Sequence, residues 1–308
     1  MERLCIRCQR LGLCSRNEAV QYIRLGLVTV DGHAERNPTA TVPVAASIAL
    51  LDRAQRMQDS KASVLLHKPA RYTCFGSSQA AQQGLPHARS LLVPQNRSPL
   101  CPTRHDPRQL RKLAPADLLD ESTSGLQVFS QDGRVNTRLS YDETLEREYV
   151  VRALEEVTSD QLTAFQSQLS SSASDAQEVV VSLDRFTPVA DGAELAASAA
   201  RQEAGYGHAE GIRLVLRGPV AASRIRDGCA FVGLNVDTIV RTRIGHLTLS
   251  NLAPGQWTVL TTTQVKPWIS ANVSEDAVEK TVDVTPRSDA RSKQSRGESS
   301  RAAVHQKK

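Results

Sequence analysis

Aromatic residues are scarce in this chain. Phe, Trp and Tyr make up 4% of it, and Met and Trp occur twice each. A core built from this sequence has to be mostly aliphatic. No run of about 18 apolar residues occurs, so a membrane-spanning helix is not expected. The N-terminus shows no charged-then-apolar leader, so no secretory signal is expected. Nor is it a clean organelle transit peptide, because folded-looking sequence starts almost at Met1; a presequence already removed stays open. The six cysteines, at 5, 8, 14, 74, 101 and 229, are scattered. That is not the framework of a small secreted disulfide protein.

A uniformly basic surface is also lacking. The net charge is +5, yet from Arg287 to Lys308 seven basic residues face only two acidic ones. The rest of the chain is neutral overall. A nucleic-acid footprint must therefore come from local patches and the basic tail.

One such patch opens the chain. Leu4, Cys8 and Leu11 recur at helical spacing, and Arg3, Arg7 and Arg10 form a second stripe beside them. Ser15-Arg-Asn-Glu18 is a capping box that starts a second helix, with Ala19, Val20 and Ile23 on its apolar face and Gly26 suited to its end. Leu27-Val-Thr-Val30 alternates as a strand, and Asp31-Gly32 signals a hairpin. Arg3, Arg7, Arg10, Arg16 and Arg24 share this one module, where they are candidates for phosphate contacts. A solvated charged face is the plainer reading. Cys5, Cys8 and Cys14 lie close in sequence, but no fourth ligand follows at zinc-finger spacing. They are expected to be small core residues, with no metal; a metal-binding RNA module is the distant alternative.

The stretch SRNEAVQYIRLGLVTVDGHAERNP closely resembles the S4-type RNA-binding domain, over residues 1–52. The resemblance implies binding to structured RNA, through backbone and shape more than base edges. Residues 53–62 are polar and charged and read as a linker.

Further along, Leu118-Leu-Asp120-Glu-Ser-Thr-Ser-Gly-Leu126 places a carboxylate before a Ser/Thr/Gly turn. Such residues make turns for local backbone reasons, and turn chemistry alone accounts for Asp120 in isolation. The surrounding order of motifs changes this. HKPARY, from His67, is similar to the N-K-P-x-G-Y start of the catalytic domain in the bacterial ribosomal-RNA pseudouridine synthases of the RsuA/RluB/RluE/RluF group, with His67 and Arg71 in place of Asn and Gly. Those enzymes carry an S4-type domain in front. Their G-R-L-D-x-x-T-x-G-L motif resembles Asp117–Leu126, with Asp120 on the catalytic aspartate, Thr123, Gly125 and Leu126 in register, and Leu118 in place of Arg. Their K-x-Y-x-V resembles Arg147–Val151, which puts Tyr149 on the active-site tyrosine; read without the resemblance, Tyr149 is a core strand aromatic. Counting back from Val232-Gly233, Arg226 falls on the basic residue of Q-V-(K/R), although Ser223-Arg224 replaces His-Gln and Asp227-Gly-Cys229 replaces Arg-Met-Phe. Arg226 as a plain helix-surface arginine is the alternative. RIGHLTLSNLAPGQW, from Arg243, resembles the end of the domain.

The resemblance implies an α+β protein: a small S4-like domain, then a pseudouridine synthase domain over residues 63–268 with a mixed, largely antiparallel sheet flanked by helices. It implies isomerisation of uridine to pseudouridine without metal or organic cofactor. Asp120 would act at the ribose–uracil centre, Arg226 would pair with it, and Tyr149 would stack on a flipped base. Lys68 joins the arginines as an RNA contact. Glu121 reads as surface. Residues 75–115 and 170–211 look expanded and read as surface loops or protein-partner contacts, the Ala-rich part of the second as helical by propensity. Residues 269–308 read as a polar, basic flexible tail. The expansions suggest a member acting on an organelle, mitochondrial ribosome, with a cytoplasmic location as the alternative. An active synthase is favoured; a catalytically degenerate RNA-binding factor of ribosome assembly is the alternative.

Overall fold

The computed structural model describes residues 1–74, 84–102, 110–154, 156–171, 179–184, 211–218, 221–249 and 252–270. The protein is α+β. Its N-terminal module runs β1 (Glu2–Arg3), α1 (Leu4–Arg10), α2 (Arg16–Arg24), β2 (Val28–Val30), β3 (His33–Glu35), β4 (Thr41–Val42) and β5 (Ile48–Leu50). The apolar stripes of α1 and α2 meet: Leu4, Cys5, Cys8, Cys14, Ala19, Tyr22 and Ile23 form one core with Val28 and Val42. Glu18 accepts the Ser15 N–H at 2.9 Å, which closes the capping box. Asp31 and Gly32 both take positive φ, 49° and 83°, as a two-residue hairpin requires.

The segment read as a linker is instead α3 (Asp52–Asp59), and it belongs to this module. Only Ala54 and Gln58 turn inward, one helical turn apart. A stripe that narrow leaves the sequence looking polar throughout. Asp52 in its first turn suits the positive end of the helix.

The larger domain follows as β6 (Ser63–Lys68), β7 (Ala114–Ala116), β8 (Ser124–Ser130), α4 (Gly133–Tyr141), β9 (Glu146–Ala153), α5 (Ser159–Ser171), β10 (Val179–Asp184), β11 (Gly211–Arg217), α6 (Ala222–Phe231), β12 (Val236–Ile244), β13 (Leu247–Thr248), β14 (Trp257–Val259) and α7 (Thr262–Ser270). The main sheet has the order β10-β11-β9-β12-β8-β6-β14, with β13 beside β12 and β7 beside β8. Two antiparallel halves join at one parallel seam, between β12 and β8.

The halves are covered differently. In the β9 half, residues alternate between core and half-buried. Tyr149, Val151 and Ala153 pack against Phe165 and Leu169 of α5 and Ile225 and Cys229 of α6. The opposite face carries cross-strand ion pairs, among them Arg243 with Glu146 and Glu148. β6 is buried at every position, because both faces of its half are covered. Helices α4 and α7 cover one face. Ala88, Cys101, Leu110 and Leu113 cover the other, packing on Val64, Leu66, Phe129 and Trp257. These four belong to the segment 75–115 expected to be loop without core. Its backbone is tied down: Trp257 donates its indole N–H to the Val93 carbonyl at 2.8 Å. Scattered small hydrophobes between Pro and Gln conceal this role in the sequence. The Ala-rich part of 170–211 and the tail beyond Ser270 lie outside the described residues.

The two domains touch at the start of α4. A Cβ on Gly133 would sit 2.4 Å from the Ser15 Cβ. Arg134 reaches the Leu13 carbonyl at 3.4 Å while holding Asp132, and Lys61 bridges Glu18 and Asp132.

At the parallel seam Gly125 has φ 109°, and a Cβ there would lie 2.3 Å from the Arg241 carbonyl oxygen. Backbone cannot yield as a flexible side chain does. Gly125→Ala is therefore expected to lower stability by about 3 kcal/mol or more. Thermal melting would register this as a drop on the order of 10 °C; an unchanged melting temperature would contradict the seam described here.

Candidate active site

The connection from β7 to β8, residues 117–123, carries Asp120. One oxygen of this carboxylate makes the turn: Oδ1 accepts the Thr123 N–H at 2.7 Å and the Ser122 hydroxyl at 3.0 Å. The other faces a different element. Oδ2 lies 3.9 Å from Nη1 of Arg226 on α6. Asp120 is thus both a turn residue and half of an ion pair. At that distance the pair lies within ion-pair reach but beyond hydrogen-bond length. Its side chains are 29% and 37% exposed, so solvent screens it and its worth to stability is small. Arg224, two residues earlier, instead donates to the Leu169 carbonyl at 2.6 Å. The helix therefore presents Arg226, and not its neighbour, to Asp120.

Beneath the loop the protein buries three cations. Lys68, at the end of β6, is fully buried and donates to the Thr123 carbonyl at 2.7 Å and the Pro69 carbonyl at 3.1 Å. Burial pulls its ammonium down to about 8, against the opposing pull of Cys74, Asp120 and Glu121. Its expected role as an RNA contact is corrected: the ammonium has no exposed surface and supports the Asp120 turn from below. Arg147 on β9 and Arg241 on β12 converge on Asp117. Arg147 Nε donates to Asp117 Oδ2 at 2.7 Å and Arg241 Nη1 to the same oxygen at 3.0 Å. Arg241 also donates to the carbonyls of Asp117 and Leu126, at 2.8 and 2.9 Å. Gln127 completes the frame, accepting from the Leu119 N–H and donating to the Ala116 carbonyl.

This frame was not anticipated from the sequence, although a signal exists. Arg147 and Arg241 occupy inward positions of alternating strands, where a charge implies a buried partner.

Tyr149 lies in the core under the loop, packed with Leu119 and only 1% exposed. Burial raises its phenol above the ordinary range, and Arg241 opposes that shift through charge and a hydrogen bond. Its ring offers no free face for a stacked base in this structure. Glu121 is half-buried, and its carbonyl accepts the Arg71 N–H at 2.6 Å. In the N-terminal module Arg3, Arg10, Arg16 and Arg24 are exposed. Arg7 is not free for RNA: it donates to the Val44 carbonyl at 2.7 Å and pairs with Glu2 at 3.4 Å. Arg10 shares Glu2 at 3.3 Å. Arg36, Arg53 and Arg56 are exposed in the same module and were not singled out from the sequence.

Comparison with known proteins identifies an S4 domain at residues 2–44. The match lies within the N-terminal module. No curated protein matches the chain. Among solved structures, one titled as a pseudouridylate synthase is 16% identical, covers 87% of this chain and all of its own, and gives a TM-score of 0.46. An archaeal box H/ACA Nop10–Cbf5 complex is 17% identical with a TM-score of 0.35, and a Cbf5–Nop10–Gar1 complex is 16% identical with a TM-score of 0.33. Each of these two covers 72% of this chain, which spans 58% of theirs.

Lys68 gives the site a pH signature. Its folded value of about 8 lies below its free value of 10.5, so between the two the unfolded chain binds more protons. The wild type is therefore expected to gain stability relative to Lys68→Met as pH rises from about 8 to about 10. Paired urea titrations at the two ends of that window check this. A wild type that loses ground with rising pH would mean the buried charge is stabilising.

Proposed function

We propose that this chain is an RNA pseudouridine synthase acting on structured ribosomal RNA. It would detach uracil from its ribose, turn it and rejoin it through carbon. The observation that carries the reading is the pairing of Asp120 with Arg226, two residues far apart in the sequence that the motif resemblance assigned to one centre. A second observation supports it. The resembled motifs carry glycine where this chain has Arg71 and Asp117, and both residues take the left-handed backbone that favours glycine, with φ 66° and 50°. At both places the backbone takes the conformation that a glycine would adopt most easily.

In this reading the exposed arginines of the S4 domain grip the RNA backbone. The target uridine leaves the stack at a cost of a few kcal/mol. Asp120 acts at the ribose–uracil centre, with its Oδ1 already fixed by the Thr123 amide. Arg226 orients Oδ2. Tyr149 underlies the site, packed beneath Leu119. An organelle ribosome of bacterial ancestry is the setting this reading favours.

The closed position of Tyr149 favours a second reading, a non-catalytic RNA-binding factor of ribosome assembly on the same fold. One experiment separates the two: a pseudouridine map of ribosomal RNA from cells carrying the wild type or Asp120→Ala. The first reading expects one uridine to lose its modification, with activity on that RNA down on the order of 10³-fold or more while RNA binding holds. An unchanged map, with ribosome assembly blocked on deletion of the protein, establishes the second.

A further inference from the structure

Asp117 takes no part in the proposed chemistry, yet the loop that carries Asp120 begins at it. We propose that Asp117 is a positioning residue: its carboxylate, held between Arg147 and Arg241, fixes residues 117–126 so that Asp120 meets Arg226. The proposal rests on the reading of the site given above.

The geometry argues against a merely conformational role. An L-residue at φ 50° is strained by about 1 kcal/mol or more, which glycine would avoid. Gly or Asn would serve if only the backbone path mattered. An aspartate adds a charge at a place where charge is costly unless paired, and here it is paired twice.

The two partners come from different strands. Arg147 reaches from β9 and donates also to the carbonyls of Leu139 and Leu145, at the end of α4 and just before β9. Arg241 reaches from β12 and donates to the Asp117 and Leu126 carbonyls, so one guanidinium ties the start of the loop to the strand that follows it. The carboxylate at 117 is the point where β9, β12 and the loop are joined, three residues before Asp120. It also occupies both arginines. Without it, the two buried guanidinia would keep backbone carbonyls and the Tyr149 side chain as partners but no carboxylate, and the next carboxylates along the loop are Asp120 and Glu121. Asp117 thereby keeps Asp120 available to Arg226.

The test uses the full chain with Asp117→Asn, which keeps the shape and removes the charge, and Asp117→Gly, which relieves the backbone. The double variant Asp117→Asn, Arg147→Met preserves the net charge of the cluster and covers the case in which a single variant does not fold. Turnover is measured on the mapped RNA, and amide hydrogen exchange is followed across residues 118–126. For every folded variant the expected result is a kcat down by roughly 10²-fold, with KM within about threefold. Loop amides, Leu119 and Thr123 in particular, would exchange about tenfold faster while β11 is unchanged.

Asp117→Gly, or the double variant where that one does not fold, overturns the proposal if it keeps wild-type turnover and loop exchange, since Asp117 would then only fill a left-handed position. A wild type inactive on RNA would sink the functional reading instead. The exchange arm then decides by itself: faster loop exchange supports the clamp, and unchanged exchange removes it.

Discussion

A guanidinium can be buried only if its donors find acceptors, and this protein buries two of them around one carboxylate. The rest of the larger domain is arranged about that point. β9 and β12 supply the arginines, the β7–β8 connection supplies the aspartate, and freed donors tie down neighbouring carbonyls. Breaking such a group by removing one partner typically costs about 3–5 kcal/mol, because the charge left behind stays buried. The arrangement therefore resists change. It also leaves Asp120 in a different regime: partly exposed and screened by solvent.

A second polar junction fixes the domains to one another. Glu18 caps its own helix and accepts Lys61, Lys61 approaches Asp132, and Asp132 is gripped by Arg134. This chain of charges crosses from the S4 domain to the first turn of α4, where Gly133 leaves room for the Ser15 side chain. The segment between the domains is itself helical and packed, so it does not act as a loose tether.

Much of the N-terminal module could be read from the sequence, because its signals are local. A capping box, an Asp-Gly hairpin and helical spacing of Leu4 and Cys8 each specify a few neighbouring residues. α3 was missed because its buried stripe is one alanine and one glutamine wide. Asp120 and Arg226 were reachable only through spaced motifs, since neither has a distinctive neighbourhood of its own. Lys68 was misassigned for an instructive reason: a lysine after an apolar strand looks like a surface cation, and only its contact with the Thr123 carbonyl shows otherwise. The Asp117 cluster joins three segments distant in sequence, and no local pattern links them.

The tight contact of Gly133 on Ser15 has a consequence for how RNA would be read. With the domains locked, the span between the exposed arginines of the S4 domain and Asp120 is a fixed length. On the proposed function the protein then works as a ruler. It would select a uridine by its offset from a gripped stem rather than by the bases beside it. Inserting or deleting a base pair in that stem would shift the mark to a different nucleotide.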